Sequence, residues 1–148
     1  MLTMLSEILE EKSGHVHTAA PSDLVSKAVR LMRQADIGAL PVLYNGRLVG
    51  ILSERDILAR IVDERLDPAS TAVFQVMTSN PECASPTMTV EAAMRMMSRR
   101  RFRHLPVMSD GRLIGIISIR DLSEWIIRNQ QTSIEKLVRT VHSMRPPG

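Results

Sequence analysis

The sequence contains few aromatic residues and a single cysteine. Aromatic side chains make up 3% of the 148 residues, so we expect a core of aliphatic side chains and of the ten methionines. Methionine is flexible and fills the gaps between packed helices. The one cysteine, Cys83, excludes an internal disulfide framework and a cysteine-rich zinc site. A lone cysteine is typical of a reducing compartment, and we therefore expect a cytoplasmic protein.

Long apolar runs and a dominant charge are also missing. No stretch approaches the roughly 20 apolar residues that span a bilayer, so we expect no membrane partner. The N-terminal stretch carries Glu7, Glu10 and Glu11 and no basic leader, which indicates a short amphipathic helix stopped by Gly14 instead of a signal peptide. With 19 basic and 16 acidic residues the net charge is +3. Nucleic-acid binding is compatible with this balance but not required by it.

An internal repeat organises the chain. The stretch GRLVGILSERD at 46–56 returns as GRLIGIISIRD at 111–121, which is 65 residues later. Without any gap, 17 of the 42 residues from His17 to Leu58 are identical to their partners 65 positions on. A unit of half this chain length would bury little core alone, so we expect the two copies to pack against each other.

Each copy has the same predicted order of elements, namely strand, helix, strand, strand and helix. Apolar residues spaced i, i+3, i+4 and i+7 after Val25 and Val90 predict amphipathic helices. Asn-Gly at 45–46 and Asp-Gly at 110–111 separate apolar runs and predict tight type I′ hairpins. The second helices are predicted over about 54–65 and from 119 to about 143.

The stretches GALPVLYNGRLVGILSERDI and RHLPVMSDGRLIGIISIRDL carry a resemblance to a known family. Each copy resembles a cystathionine-beta-synthase (CBS) domain, and the pair resembles a stand-alone, bacterial-type Bateman module. The resemblance covers nearly the whole chain and implies an α/β (α+β) fold. In it, tandem β-α-β-β-α repeats are related by a pseudo-two-fold axis, and two small three-stranded sheets pack together. We expect the N-terminal helix and first repeat over 1–66, a linker over 67–80, and the second repeat with a long C-terminal helix over 81–148.

A Ser-x-Arg-Asp motif joins a strand to a helix in both copies. The spacing of Ser53 and Asp56 is that of a capping box, in which both residues satisfy backbone groups of the helix start. The same position presents backbone N–H groups toward anions, and a carboxylate there can accept both hydroxyls of a ribose. Capping needs no arginine, yet Arg55 and Arg120 recur, and an arginine can hold phosphate. Capping alone stays an alternative, but the repeated arginine favours a nucleotide site.

The resemblance assigns roles to the motif and to two neighbouring segments. It implies that each aspartate binds ribose, that each serine assists and that each arginine faces phosphate. These residues are Ser53, Arg55, Asp56, Ser118, Arg120 and Asp121. The family's pocket also uses the segment before each LPV and the first extended piece of each repeat. The corresponding residues are His17, Thr18, Ile37, Gly38 and Ala39 in the first copy and Thr78, Glu82, Cys83, Phe102, Arg103 and His104 in the second. Alanine at either aspartate is then expected to weaken binding while hardly changing the thermal midpoint.

The two copies differ just before LPV. Arg103 and His104 stand where the first copy has Gly38 and Ala39. A guanidinium and a partly protonated imidazole favour ligands that carry phosphate, and the imidazole contribution is expected to fade above about pH 6.5. We therefore expect the second copy to hold nucleotides more tightly than the first.

These patterns predict a regulatory or sensor module and not an enzyme. We expect AMP, ADP, ATP or NAD(H) to bind in the cleft between the repeats as a regulatory ligand, with no catalytic cofactor. Binding is expected to shift the conformation and so to signal to a protein partner that the sequence does not identify. We also expect a homodimer, because apolar helix positions at Leu24, Leu31 and Ile126 lack a partner and CBS modules typically dimerise through such helices.

Three alternatives remain at this point. One is a nucleic-acid-binding module, which the scarcity of stacking aromatic residues disfavours. Another is a purely structural dimerisation module without a ligand. The third is a metal site built from His15 and His17 with Cys83 or His104, which no spacing signature supports. We expect no metal.

Overall fold

Helices and strands alternate along the chain of this computed structural model, which describes residues 3–12 and 14–143. The helices are α1 (Leu5–Lys12), α2 (Val25–Ala35), α3 (Glu54–Asp56, continued by a π-helix over Ile57–Val62), α4 (Val73–Val76), α5 (Val90–Arg100) and α6 (Ile119–Ser143). The strands are β1 (Ala39–Tyr44), β2 (Arg47–Ser53), β3 (Thr78–Ser79), β4 (His104–Ser109) and β5 (Arg112–Ser118). Mixed helices and two small antiparallel sheets confirm the predicted α/β (α+β) class.

Each repeat contains the hairpin that its Asn-Gly or Asp-Gly pair predicts. β1 pairs antiparallel with β2, and β4 pairs antiparallel with β5. The φ angles are 49° at Asn45 and 77° at Gly46, and they are 51° at Asp110 and 76° at Gly111. A type I′ turn needs positive φ at both central residues, and these residue types tolerate it.

The helices α2 and α5 bury three of the four positions of each predicted apolar stripe, whereas Val29 is exposed and Met94 is partly buried. The buried side chains are Val25, Ala28 and Met32 in α2 and Val90, Ala93 and Met97 in α5. Each helix is followed by a residue with left-handed backbone, Asp36 and Arg101. That conformation ends the helix and turns the chain into the first strand of the hairpin.

The strand count differs from the expected two three-stranded sheets. In the leading segments, Ala19 forms a single parallel bridge with Val42, and Ala84 forms the corresponding bridge with Val107. A proline follows each alanine two residues later and turns the chain away, so neither bridge extends into a ladder. The third strand of the first sheet is β3, which comes from the linker and pairs with β2. The second sheet, as described, has two strands.

α1 and α4 occupy equivalent positions on different repeats. Leu5 N at the start of α1 donates to Met88 O at 2.9 Å, in the second repeat. Val73 N at the start of α4 donates to Asp23 O at 2.8 Å, in the first repeat. Met88 and Asp23 are themselves 65 residues apart. The N-terminal helix therefore docks on the second repeat in the same way as the linker helix α4 docks on the first.

Leu9 of α1 and Met77, which directly follows α4, also cross the two sheets at the same place. Gly115 in β5 is the counterpart of Gly50 in β2, 65 residues earlier. A Cβ atom on Gly115 would lie 2.5 Å from Leu9 Cδ2, and a Cβ atom on Gly50 would overlap the side chain of Met77. Both strands therefore have a glycine where the side chain of Leu9 or Met77 packs closely on them.

Buried apolar side chains form two clusters, one for each repeat. The first cluster combines α2, the β1–β2 hairpin and α4. The second combines α5, the β4–β5 hairpin and the start of α6 with α1, which contributes Leu5 at 0% and Ile8 at 3% exposure. The two sheets approach each other through β2 and β5. The N-terminal helix is thus part of the core of the second repeat, although in sequence it precedes the first repeat.

α6 is the predicted long C-terminal helix and spans 25 residues. Its first turns pack on the second core through Leu122, which is fully buried. Further along, its apolar side chains are exposed, namely Ile127, Ile134, Leu137, Val138 and Val141. Among the described helices, α6 included, none is long and apolar enough to cross a membrane.

Candidate functional site

Both Ser-x-Arg-Asp motifs form a capping box at a strand-to-helix junction. In the first, Ser53 N donates to Asp56 Oδ2 at 2.9 Å, and Asp56 N donates to Ser53 Oγ at 3.3 Å. In the second, Ser118 N donates to Asp121 Oδ2 at 2.8 Å, and Asp121 N donates to Ser118 Oγ at 3.0 Å. Capping is therefore one role of both aspartates, and each carboxylate keeps a second oxygen for other partners.

The carboxylate of Asp56 is almost completely enclosed. Asp56 is 7% exposed, and its Oδ1 accepts a hydrogen bond from Thr78 Oγ1 at 3.0 Å. Arg60 Nη1 lies 3.7 Å from the same oxygen. The guanidinium of Arg60 also donates to the carbonyl oxygens of Val76 and Met77 at 2.7 Å each, which ties α4 to this site. Asp56 thus connects the first repeat to the linker.

Thr78 belongs to the first site, whereas we expect it in the second from the sequence. The reason is the pairing of β3 with β2, in which Thr78 lies opposite Ile51. This pairing brings the Thr78 hydroxyl onto Asp56 before the chain leaves for the second repeat. The assignment of Thr78 to the second copy was therefore wrong.

Asp121 has a different partner, the ammonium group of Lys12 at the end of α1. Lys12 Nζ donates to Asp121 Oδ2 at 2.8 Å and to the carbonyl oxygen of Ile116 at 2.8 Å. Burial by itself would raise the pKa of the Asp121 carboxyl. The hydrogen bond and charge of Lys12 and the hydrogen bonds from Ser118 outweigh burial and hold that pKa below its ordinary value. The charged form of Asp121 is therefore the stable one at neutral pH.

His104 lies where the two repeats meet. A Cβ atom on Gly38 of the first repeat would lie 3.2 Å from His104 Nε2 and 3.5 Å from Glu54 Oε1. The imidazole therefore occupies the space beside Gly38 that a larger residue would need. A second connection is the hydrogen bond from Arg55 Nη1 to the carbonyl oxygen of Arg101 at 2.9 Å. Polar residues of both repeats thus lie together where the repeats meet.

The ionisation of His104 differs from the expected partly protonated ring. Burial lowers the pKa of His104 below its ordinary value of 6.5, and the negative charge of Asp121 opposes this. The positive charges of Lys12, Arg103 and Arg55 lower the pKa of His104 further. The ring is neutral at neutral pH and becomes charged only in more acidic solution. Its positive charge therefore fades at a lower pH than the expected 6.5.

The predicted phosphate-binding arginines differ in their bonding partners and in their exposure. Arg55 bridges the repeats, as described above. Arg120 pairs with Glu124 on its own helix at 3.3 Å, and its side chain is 80% exposed. Arg103 is exposed as well, and its carbonyl oxygen accepts a hydrogen bond from Ile119 N at 2.8 Å. Arg55 and Arg103 therefore carry the positive charge near His104, while Arg120 lies in solvent.

The other predicted residues pack in the cores or lie in the leading segments. Ile37 and Phe102 pack partly buried against the two cores, and Ala39 is buried. The ring of His17 stacks edge-on against His15, with centroids 5.1 Å apart. These residues and Thr18, which precedes the Ala19 bridge, have no described hydrogen bond to either aspartate.

Glu82 and Cys83 have partners outside the cleft. Glu82 Oε1 pairs with Arg100 Nη1 at 2.6 Å. Cys83 is exposed overall, but its thiol is partly buried. This partial burial and, to a smaller extent, the charge of Glu82 raise the pKa of the thiol, so its reactive thiolate form is disfavoured. In the described part of the chain, no three histidine, cysteine or acidic side chains are grouped to hold a metal ion.

The sequence missed Lys12 and Arg60 as partners of the two aspartates. A cavity of about 490 Å³ opens between α1 and α6 beside the ion pair of Lys12 and Asp121. Its remaining lining residues are Ile8, Glu11, Glu124, Ile127 and Arg128. The second aspartate is thus the more accessible one, with its side chain 20% exposed against 10% for Asp56.

Comparison with known proteins identifies relatives over most of the chain. The family model described as CBS domain matches twice, over residues 6–63 and 73–128. The CBS domain-containing protein YhcV of Bacillus subtilis (strain 168) is 32% identical over 119 residues, which are 80% of this chain and 84% of that protein. An inosine-5′-monophosphate dehydrogenase of Korarchaeum cryptofilum is 36% identical over 108 residues, or 72% of this chain. That match spans only 21% of the length of the enzyme.

Solved structures show the same fold. A protein with CBS domains from Burkholderia ambifaria MC40-6 superposes with a TM-score of 0.82 at 34% identity, covering 86% of this chain and 96% of that chain. The CBS domain pair of protein MJ0100 superposes with a TM-score of 0.77 at 25% identity, covering 87% of this chain and 99% of that chain. The MJ0100 pair was solved in complex with 5′-methylthioadenosine and S-adenosyl-L-methionine.

Proposed function

Because the chain belongs to the CBS domain family and carries the domain twice, we propose that it is a regulatory module and not an enzyme. Its regulatory ligand is an adenine nucleotide, one of AMP, ADP, ATP or NAD(H), bound in the cleft between the repeats. The observation that carries this proposal is the group of charges around His104, in which the carboxylate of Asp121, paired with Lys12, lies with the guanidinium groups of Arg55 and Arg103. The adenosine compounds held by the MJ0100 pair support the same ligand class here.

In this proposal each part of the ligand meets a matching group of the second site. The carboxylate of Asp121 accepts both ribose hydroxyls, one at each oxygen, and the hydroxyl at Oδ2 takes the place of the Lys12 ammonium. Arg55 and Arg103 attract the phosphate. The apolar side chain of Phe102 covers one face of the adenine, as Ile37 does in the first site.

The ligand acts through the contacts between the repeats. The hydrogen bond from Arg55 to Arg101 and the packing of His104 beside Gly38 both cross the cleft. A nucleotide that binds between them favours one arrangement of the repeats over others, and a protein partner that prefers one arrangement reads the difference. A cytoplasmic location stays a prediction that rests on the single cysteine.

Titration calorimetry tests the ligand class. We expect at least one of AMP, ADP, ATP, NAD⁺ and NADH to bind, and we expect Asp121→Asn to weaken that binding about tenfold or more, the usual loss for a charged hydrogen bond. Asp110→Asn is the matched control, because it removes an equal charge from an exposed turn whose positive φ asparagine tolerates. The proposal fails if no nucleotide binds at millimolar concentration, or if Asp121→Asn binds as the wild type does.

We also propose that the protein is a homodimer whose interface includes α6. The apolar side chains along its outer half are 49–65% exposed, which is unusual for a free helix surface. From the sequence we expect a contribution from the N-terminal helix as well. The apolar residues Leu5 and Ile8 of that helix are buried within their own chain, so α6 carries the proposed interface.

Light scattering tests the dimer. At micromolar concentration we expect twice the mass of one chain, and we expect Leu137→Glu to give monomers because it buries a charge in an apolar contact. Thr132→Glu adds the same charge at an exposed polar position of α6 and should leave the mass unchanged. A wild-type protein with the mass of one chain would refute the dimer.

A further inference from the structure

The second site contains a lysine where the first contains a threonine. In the first repeat, Thr78 of β3 pairs with β2, and its hydroxyl donates to Asp56. In the second repeat the corresponding edge of β5 has no described third strand, and the ammonium of Lys12 takes both roles. It donates to the carbonyl oxygen of Ile116 at the edge of the sheet and to Asp121, each at 2.8 Å. A positive group therefore replaces a neutral donor.

The lysine side chain can change its partner while its helix stays in place. Leu5 and Ile8 anchor α1 in the second core, and Glu11 pairs with Arg128 of α6 at 2.9 Å. The Lys12 side chain, in contrast, is 39% exposed and borders the cavity between α1 and α6. Its long flexible stem gives the ammonium several positions at little cost.

A ligand that uses Asp121 must compete with this ammonium. When ribose hydroxyls take the carboxylate, Lys12 loses its anion, and a neutral nucleoside offers no replacement. A nucleotide does, because a phosphate monoester carries about −1.5 to −2 charge at neutral pH, which is more than a carboxylate carries. Lys12 then gains by exchanging the carboxylate of Asp121 for a phosphate. It does not gain when a nucleoside takes that carboxylate and offers no anion in return.

We propose that Lys12 is a specificity-determining residue of the second site, which disfavours adenosine and favours phosphorylated adenine nucleotides by moving from Asp121 to the phosphate. This proposal rests on the proposed function. Arg55 and Arg103 also attract phosphate, so Lys12 enlarges a preference that these arginines share.

Lys12→Met tests the proposal, because methionine keeps the apolar stem and removes the charge. We expect the affinity for AMP to fall about threefold to fivefold and the affinity for adenosine to rise about twofold to threefold, as partly exposed ion pairs allow. Both are measured by titration calorimetry, and a thermal melt of each variant verifies the fold. Opposite changes for the two ligands cannot come from a general loosening of α1.

Two comparisons isolate the site. Lys27→Met is the matched control, since Lys27 also pairs with an aspartate, Asp23 at 3.3 Å, but in the first repeat, and its ratio of AMP to adenosine affinity should not change. In an Asp121→Asn background the effect of Lys12→Met on adenosine should disappear. Equal changes for both ligands, or an unchanged ratio, would overturn the role of Lys12 while leaving the nucleotide site intact. Failure of the wild type to bind either compound would overturn the proposed function, and this proposal with it.

Discussion

Leu5→Ala is expected to lower the free energy of unfolding by about 3–5 kcal/mol, the range for a fully buried leucine. Leu5 is 0% exposed and lies in the cluster whose other members, Ile8 apart, lie between residues 84 and 122. The loss combines the transfer free energy of the removed carbon atoms with the cavity they leave. Since domains are stable by only about 5–15 kcal/mol, this one residue of the N-terminal helix decides much of the stability of the second repeat.

Urea denaturation followed by circular dichroism measures this effect. Leu58→Ala is the matched control, because it removes the same atoms from a helical residue that is 63% exposed, and it should change the free energy by less than about 0.5 kcal/mol. If Leu5→Ala unfolds at the same urea concentration as the control, α1 is not part of the second core in solution.

The elements that the sequence predicted well are those that local chemistry determines. Asn45 with Gly46, and Asp110 with Gly111, can form their turns without knowledge of the rest of the chain. The apolar stripes of α2 and α5 likewise follow from spacing alone. The leading segments were less predictable, because an extended piece becomes a strand only when a neighbouring strand pairs with it over several residues, and a proline ends both pieces too early.

The placement of α1 could not be predicted from periodicity. An amphipathic pattern shows that a helix has an apolar face, but it does not show which core covers that face. The repeat itself also conceals the relation between α1 and α4. Their first residues, Leu5 and Val73, are 68 positions apart, whereas the aligned motifs are 65 apart, and the two helices share no clear sequence identity. Lys12 was missed for this reason.

The site was predictable in its type but not in its partners. Both aspartates stand in the same sequence motif, and both form the capping box that the motif predicts. Their remaining contacts differ. Asp56 contacts Thr78 of the linker and Arg60 one helical turn further on, whereas Asp121 contacts Lys12 of the N-terminal helix. Identical motifs therefore acquire different burial and different charge, which only the tertiary structure determines.

Asp56→Ala is expected to cost about 2–3 kcal/mol of unfolding free energy, because it removes the buried acceptor of several part-buried hydrogen bonds. The donors are the backbone N–H and hydroxyl of Ser53 and the hydroxyl of Thr78, with the guanidinium of Arg60 close by. Asp121→Ala should cost only about 1 kcal/mol, the usual value of a lost cap, since the released Lys12 can be solvated. From the sequence we expect both substitutions to change stability little; the contacts of Asp56 predict a larger loss for Asp56→Ala.

Denaturant unfolding of the two variants at several pH values tests this difference. The pKa of Asp121 is lowered in the folded protein, so its contribution to stability is present above its ordinary value of 3.8 and is lost as the pH falls through the lower folded value. The deficit of Asp121→Ala should accordingly be constant from about pH 7 to about pH 5 and then shrink in stronger acid. A deficit that does not change with pH would mean that the substitution acts through the helix backbone and not through the ion pair with Lys12. Equal costs for the two alanine variants at neutral pH would show that the enclosure of Asp56 contributes no stability beyond capping.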